Sequence, residues 1–301
     1  MEHHTAKHFV LQLGSLASLY VSLSFLLVLL FGIINLRFPD PTEGYWALES
    51  AASSVRIGIA IVVVFFPTYL ILTRIVNRLR RTGASDTYLA LTKWLVYLSL
   101  LIGGGVLLGD LVAVIIGFLE GELTQRFLLK AFAVFIVTGA AFHYYILDAR
   151  GYWLTHEQKS IMFAIGAAVV VLASIGVGIG HIETPSEVRE RNLDEKQLTD
   201  LQDLQWRIVS YYERENTLPA SIDILYEAGM TMPMAVAERT EYRYEPTDTG
   251  FTLCATFSHP TPHDQFTRPF FPEDKAAQFS GLDNWEHGVG ETCFARTLKQ
   301  L

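Results

Sequence analysis

The sequence predicts a membrane all-α bundle of five transmembrane helices, followed by a small extracytoplasmic α+β domain with an amphipathic helix on a short antiparallel sheet. Three observations predict it. Five charge-poor apolar stretches follow one another before residue 183. The charge balance then reverses. Residues 182–301 hold 21 acids and 11 bases, a net of −10, whereas residues 1–181 hold the remaining 10 acids and 12 bases, a net of +2. Finally, beyond residue 242 the apolar residues alternate with period two instead of recurring at helical spacing.

A hydrocarbon core about 30 Å thick needs roughly 17–25 apolar helical residues. The first stretch, 9–36, runs for 28 residues without a charge, and the second, 57–73, for 17. The second can extend back to Ala51 if Arg56 is tolerated. The third, 94–119, contains one charge, Asp110; the fourth is 131–147 and the fifth is 160–182. The first is longer than the roughly 7–15-residue apolar run of a cleaved signal peptide, and no small-residue cleavage site follows it. It is therefore read as a retained helix. Five such helices in succession would be hard to cover in a soluble fold when only 18% of residues are charged. The chain divides into a cytoplasmic N-terminal tail (1–8), a four-helix transmembrane region (9–153), a fifth transmembrane helix (160–182) and an extracytoplasmic domain (183–301).

Orientation follows from the enrichment of Lys and Arg in cytoplasmic loops. Lys7, Arg74, Arg78, Arg80, Arg81, Lys93, Arg150 and Lys159 fall on one side. Arg37, Arg56, Arg126 and Lys130 fall on the other, together with Asp40, Glu43, Glu49, Glu120 and Glu122. The first group faces the cytoplasm, and five crossings place the C-terminus outside. The expected location is the cell inner (plasma) membrane, multi-pass.

In the tail, Leu201, Leu204, Ile208 and Tyr211 recur at spacings of 3, 4 and 3 among polar residues. This predicts an amphipathic helix starting near Thr184–Pro185–Ser186 and ending at Asn216. A short second helix is expected over 220–228, closed by Gly229. Tyr242 and Tyr244, then the turn residues 247–250, then Phe251, Leu253, Ala255 and Phe257 predict a β-hairpin. Residues 258–290 read as a long loop, and 291–296 as a third strand. Cys254 and Cys293 are the only cysteines. In an oxidising compartment such a pair reads as a disulfide; their spacing is not Cys-x-x-Cys, and zinc would need two more ligands.

The first four stretches, with the acidic loop Phe38–Pro39–Asp40–Pro41 and the basic segment 74–81, resemble the bacterial membrane-protein family "domain of unknown function 5671" over about residues 8–153. The tail resembles a small domain that follows bacterial membrane segments, through Leu218–Pro219–Ala220–Ser221, Tyr242–Arg243–Tyr244, 253–257, and 285–287 with Cys293–Phe294. It is also similar to a pseudopilin globular domain, but it lacks a prepilin processing signal. Neither resemblance implies an activity.

Asp110 is the sharpest single residue, because a carboxylate inside a span costs about 2.5–3.5 kcal/mol on the insertion scale. At 1.5 Å per residue, Arg56 could reach a depth where the two pair. The favoured reading is an interhelical salt bridge or an acid that contacts outer-face water, and a proton- or ion-coupling carboxylate is the sharper alternative. Gly105-x-x-x-Gly109 and Gly176-x-x-x-Gly180 offer small-residue faces, read first as packing within the monomer and second as a seam of a homo-oligomer. His3, His4 and His8 read as a solvated tail. His259, His263 and His287, with Asp264 and Asp283, read as a solvated loop. His143 reads as an interfacial or helix-contact histidine. No catalytic residue, cofactor or metal ligand is assigned, and the acidic tail argues against nucleic acid.

The leading expectation is a non-enzymatic membrane anchor whose partners are the lipid bilayer and, through residues 183–301, an envelope protein. The alternative is a small transporter or channel subunit using Asp110.

Overall fold

The computed structural model describes residues 2–40, 43, 45–81, 86–121, 123–226, 232–235, 239–261 and 284–297. The chain forms two compact units, Met1–Ile182 and Glu183–Leu301.

The first unit contains α1 (Glu2–Arg37), α2 (Tyr45–Arg81), α3 (Asp86–Glu120), α4 (Gln125–Ala149), the single turn α5 (Tyr152–Thr155) and α6 (Glu157–Ile179). All of these but α5 carry a stretch long and apolar enough to cross a membrane. The second stretch is longer than the sequence suggests, at Trp46–Arg81. Two charges near its start are accommodated because Arg56 Nη1 lies 3.1 Å from Glu49 Oε1, two turns away on the same helix.

The neighbours Gly14–Leu72, Leu29–Gly58 and Gly32–Val55 show that α1 and α2 run antiparallel. Glycine permits the approach. A Cβ on Gly32 would sit 2.7 Å from Val55 Cγ2, and one on Gly58 would sit 2.8 Å from Leu29 Cβ. Gly178 brings α6 to the same place: a Cβ on it would sit 3.1 Å from Leu29 Cδ1 and 3.2 Å from Val55 Cγ1. Leu26, Leu29, Val55, Val62 and Val171 form the core there. The expectation that Gly105, Gly109 and Gly176 pack inside the monomer fails: a Cβ at any of them meets nothing within 4 Å. A small-residue spacing within one helix does not say which face the neighbours cover. α3 instead leaves large apolar side chains such as Leu101, Leu108 and Leu119 exposed.

In the second unit, α7 (Pro185–Glu215) begins with a capping box. The Thr184 hydroxyl accepts from the Glu187 amide, and Glu187 accepts from the Thr184 amide. Asn216 ends the helix in the left-handed conformation. Leu198, Leu201, Leu204 and Ile208 make its buried stripe, and Tyr211 is half-buried. The stripe packs on an antiparallel meander of β1 (Arg243–Thr247), β2 (Gly250–Phe257) and β3 (Gly290–Thr297), in the order β1-β2-β3. Phe251, Leu253, Ala255, Phe257 and Phe294 supply the sheet's side of the core, and Trp285 joins it from the irregular segment before β3. At Gly250 a Cβ would collide with the Arg296 carbonyl oxygen, so the close approach of β2 to β3 there requires glycine.

The second helix expected over 220–228 is a single 3-10 turn, Ile222–Leu225. Ile222 and Leu225 both reach the core, so one turn with i, i+3 spacing suffices. Gly229 lies outside the described residues.

Candidate functional site

Polar groups gather at one end of the helical unit, where α2 finishes and α6 begins. Arg80 donates to both carboxylate oxygens of Asp148 on α4, at 2.8 and 3.1 Å. Both side chains are buried, 7% and 6% exposed. Both contacts come from the single nitrogen Nη1, and burial at this level makes the opposite charge necessary, since either charge alone would lack compensation. The next residue, Arg81, donates to the Trp153 carbonyl at 2.8 Å and lies 2.9 Å from Glu157 Oε2. Arg74 lies 3.5 Å from the other Glu157 oxygen. The Trp153 indole donates to the Tyr144 carbonyl at 3.0 Å and stacks on the Tyr144 ring. α5 is thereby tied to α2 and α4.

Beside this cluster, α2, α4 and α6 leave a crevice of about 750 Å³. Its rim carries Arg74, Arg78, Arg81 and Glu157. Below the rim come Thr73, Asn77 and Ser160, then Tyr69 and Tyr144, and then apolar side chains of α6 such as Ala164 and Ala168. In the neck, Ser15 and Thr73 share a hydrogen bond at 2.7 Å. Tyr69, Tyr144, Phe163 and Ala167 also line a second cavity of about 340 Å³, walled further on by Leu26, Val62, Phe66 and Val170. The charged groups lie in the first cavity, and the second is lined mainly by apolar side chains.

Asp110 and Arg56 are not brought together. Arg56 pairs with Glu49. Asp110 sits half-exposed on α3, which packs on α4 and α1, whereas α2 packs on α1 and α6. Among the described residues, no side chain pairs with the Asp110 carboxylate. His143 is exposed on α4. The side chains of His3, His4 and His8, and residues His263, Asp264 and Asp283, lie outside the described residues.

In the second unit, Cys254 and Cys293 face each other across β2 and β3 and form a disulfide, with Cα atoms 4.0 Å apart. A second tie is polar. Arg239, 7% exposed, pairs with Asp194 of α7 and donates to Gln197 Oε1 at 2.8 Å and to the Thr256 carbonyl at 2.7 Å. Asp194 also accepts from the amides of Ser258 and His259, at 3.0 and 2.9 Å. Glu190 completes the ring through Arg239 Nη2 at 2.9 Å, which holds its carboxyl below the ordinary range. His287 stacks on Phe257, with ring centroids 3.7 Å apart, and burial pushes its imidazole down. These groups are engaged in holding helix, sheet and loop together.

The crevice is the feature that sequence reading missed. Its signal was available: Tyr69, Thr73, Asn77 and Arg81 recur at i, i+4 along α2, which places them on one face.

The architecture defines the class: a helical unit with five apolar helices of spanning length, joined to a disulfide-closed α+β domain. Within it, residues 8–145, under half of the chain, match the model of the family described as Domain of unknown function (DUF5671). The match ends inside α4. No curated protein and no solved structure matches the chain.

Proposed function

We propose that the chain is a multi-pass inner-membrane protein, with its N-terminus cytoplasmic and residues 183–301 outside, and that it acts as a non-enzymatic anchor presenting that domain to an envelope protein. The observation that carries this reading is the Cys254–Cys293 disulfide. It suits an oxidising compartment, and the bias of Lys and Arg toward the opposite side of the spans leads to the same topology. The domain's buried charges are spent on internal ties, which suits a stable binding module more than a catalytic one. Trp206 of α7 is 66% exposed and Val289 is 70% exposed, so the domain displays apolar side chains.

The test is photo-crosslinking in intact cells from a reactive analogue at position 206, combined with protease treatment of spheroplasts. A discrete crosslinked partner and cleavage of the domain from outside are expected. Cleavage only after lysis would refute the topology; absence of any crosslinked protein would refute the anchor role. A transporter or channel subunit using Asp110 is the alternative, and proteoliposome flux indifferent to Asp110→Asn would remove it.

A further inference from the structure

We propose that the second cavity, between α1, α2, α4 and α6, binds the ring of one membrane-dissolved isoprenoid quinone, whose carbonyl oxygen accepts a hydrogen bond from the Ser22 hydroxyl. The proposal rests on the reading that these helices cross a membrane.

A hydroxyl on an apolar helix can satisfy itself on the carbonyl four residues back, as those of Ser54, Thr68, Ser99 and Ser174 do. Ser22 departs from them. It is 3% exposed, and its Oγ has no hydrogen-bond partner. It lies near the middle of the 28-residue apolar stretch 9–36, at a depth where the bilayer supplies no water to serve it. The α1 residues that line the cavity are Leu19, Ser22, Leu23 and Leu26, the i, i+3, i+4 and i+7 positions of one helix face. Ser22 is therefore a polar group set into an apolar wall. A buried hydroxyl without a partner is costly, and an acceptor bound in the cavity removes that cost.

The cavity, about 340 Å³, is within the size range of small-molecule sites. Every side chain lining it is uncharged, which suits a neutral ligand. Five are aromatic: Phe66 and Tyr69 of α2, Tyr144 and Tyr145 of α4, and Phe163 of α6. Aromatic faces and edges suit a planar ring. A saturated acyl chain would use neither these rings nor the serine. The space exists because the facing residues are small, Ala140 and Ala141 on α4 and Gly166 and Ala167 on α6. Access is lateral. α6 packs on α1 and α2, whereas α4 packs on α3 and α1, which leaves a seam between α4 and α6. Ile136 and Val170 line the cavity from the two sides of that seam and are 51% and 59% exposed. In a bilayer the seam faces lipid, so a quinone enters from the membrane with its isoprenoid tail trailing outward.

The experiment uses the full chain. Alkaline carbonate extraction comes first: release from the membrane would defeat the membrane reading and this proposal with it, whereas retention leaves only the proposal at stake. Retained protein is purified in mild detergent and titrated with decylubiquinone and, separately, with decylbenzene, which has a ring and a chain but no carbonyl. Bound ligand is counted by native mass spectrometry. Tighter binding of decylubiquinone, at one molecule per chain, is expected. Ser22→Ala should weaken decylubiquinone by about fivefold and leave decylbenzene unchanged, with no loss of melting temperature because the hydroxyl it removes has no partner. Gly166→Leu should abolish binding of both ligands by filling the cavity, and the fold should tolerate it because a Cβ there meets nothing within 4 Å. Ala140→Leu, on the opposite wall, is the second filling variant and should act in the same way. Equal binding of the two ligands by the parent protein would mean a pocket for hydrocarbon alone and overturns the proposal. A preference for decylubiquinone that survives Ser22→Ala overturns it, as does quinone binding that survives both filling variants.

Discussion

Reducing the Cys254–Cys293 disulfide should cost the second unit a large part of its stability. The bond closes a loop of 39 residues between β2 and β3. Removing that constraint from the unfolded chain corresponds, in the chain-entropy model, to about 4 kcal/mol at 25 °C. A domain of this size has roughly 5–15 kcal/mol in total. With a urea m-value of about 1.5–2 kcal/mol per molar, the unfolding midpoint should fall by roughly 2–2.7 M. The assay is pulse proteolysis of the full chain across a urea series, following loss of the 183–301 fragment with and without reductant. Cys254→Ala/Cys293→Ala should reproduce the reduced curve. The two cysteines are already opposed in the sheet register, and Leu253 and Phe294 beside them belong to the core. The sheet should therefore still form after reduction, with less margin. A midpoint that moves by under about 0.5 M would refute the reasoning, because the loop would then already be constrained in the unfolded state.

Three further outcomes follow from the contacts. Gly58→Ala should destabilise the helical unit by about 1–3 kcal/mol, because its Cβ would meet Leu29 Cβ at 2.8 Å and that residue's backbone at 3.0 Å. Gly105→Ala, with nothing within 4 Å, should be neutral or slightly stabilising; equal losses in thermal unfolding in detergent would refute the packing assignment. Asp148→Asn should cost about 3–5 kcal/mol by leaving Arg80 buried without its counter-charge, whereas Arg80→Met/Asp148→Leu should recover most of that; a double variant no better than the single one would contradict it. The second unit should lose stability to acid in two stages, read by protease resistance against pH. The folded imidazole of His287 lies below its ordinary 6.5, so the unfolded chain takes the proton first and stability falls as pH drops below 6.5. Glu190, held low by Arg239, and Glu187, held low by the Thr184 amide, lie below their ordinary 4.5, so the stability their ionised forms contribute is lost as pH falls below 4.5. His287→Phe should remove the first stage, and Glu190→Gln should weaken only the second.

Most of the fold was legible in the chain because it rests on one-dimensional signals. Thr184, Pro185 and Glu187 mark the start of α7, since capping chemistry acts within three residues of itself. The alternation from Phe251 to Phe257 gave the core face of β2, and residues 247–250 gave its turn. The cysteine pair was readable because two cysteines admit one intramolecular pairing. The 3-10 turn at 222–225 was overestimated as a helix, because composition tells where an apolar turn is wanted and not how many residues the neighbouring core has room for. Trp285 was placed in a loop, and the loop is irregular there; its burial depends on the space between α7 and Phe294, which no local pattern encodes.

The misses in the helical unit share one cause. A span's sequence fixes depth along the helix axis, at about 1.5 Å per residue, and leaves the azimuth to be set by neighbours. Arg56 and Asp110 were matched by depth, yet α2 and α3 each turn toward different partners. Gly105 and Gly109 had the spacing of a packing face, yet the close approaches are made at Gly32, Gly58 and Gly178, which converge on Leu29 and Val55 from three helices. The stripe Tyr69–Thr73–Asn77–Arg81 carried azimuthal information of its own, because i, i+4 residues share a face whatever the neighbours do. Uncharged polar residues that repeat at helical spacing within an apolar stretch therefore point more reliably to a polar site between helices than a lone carboxylate does. In this chain the stripe leads to the crevice at the arginine-rich end, whereas Asp110 leads to a half-exposed face of α3.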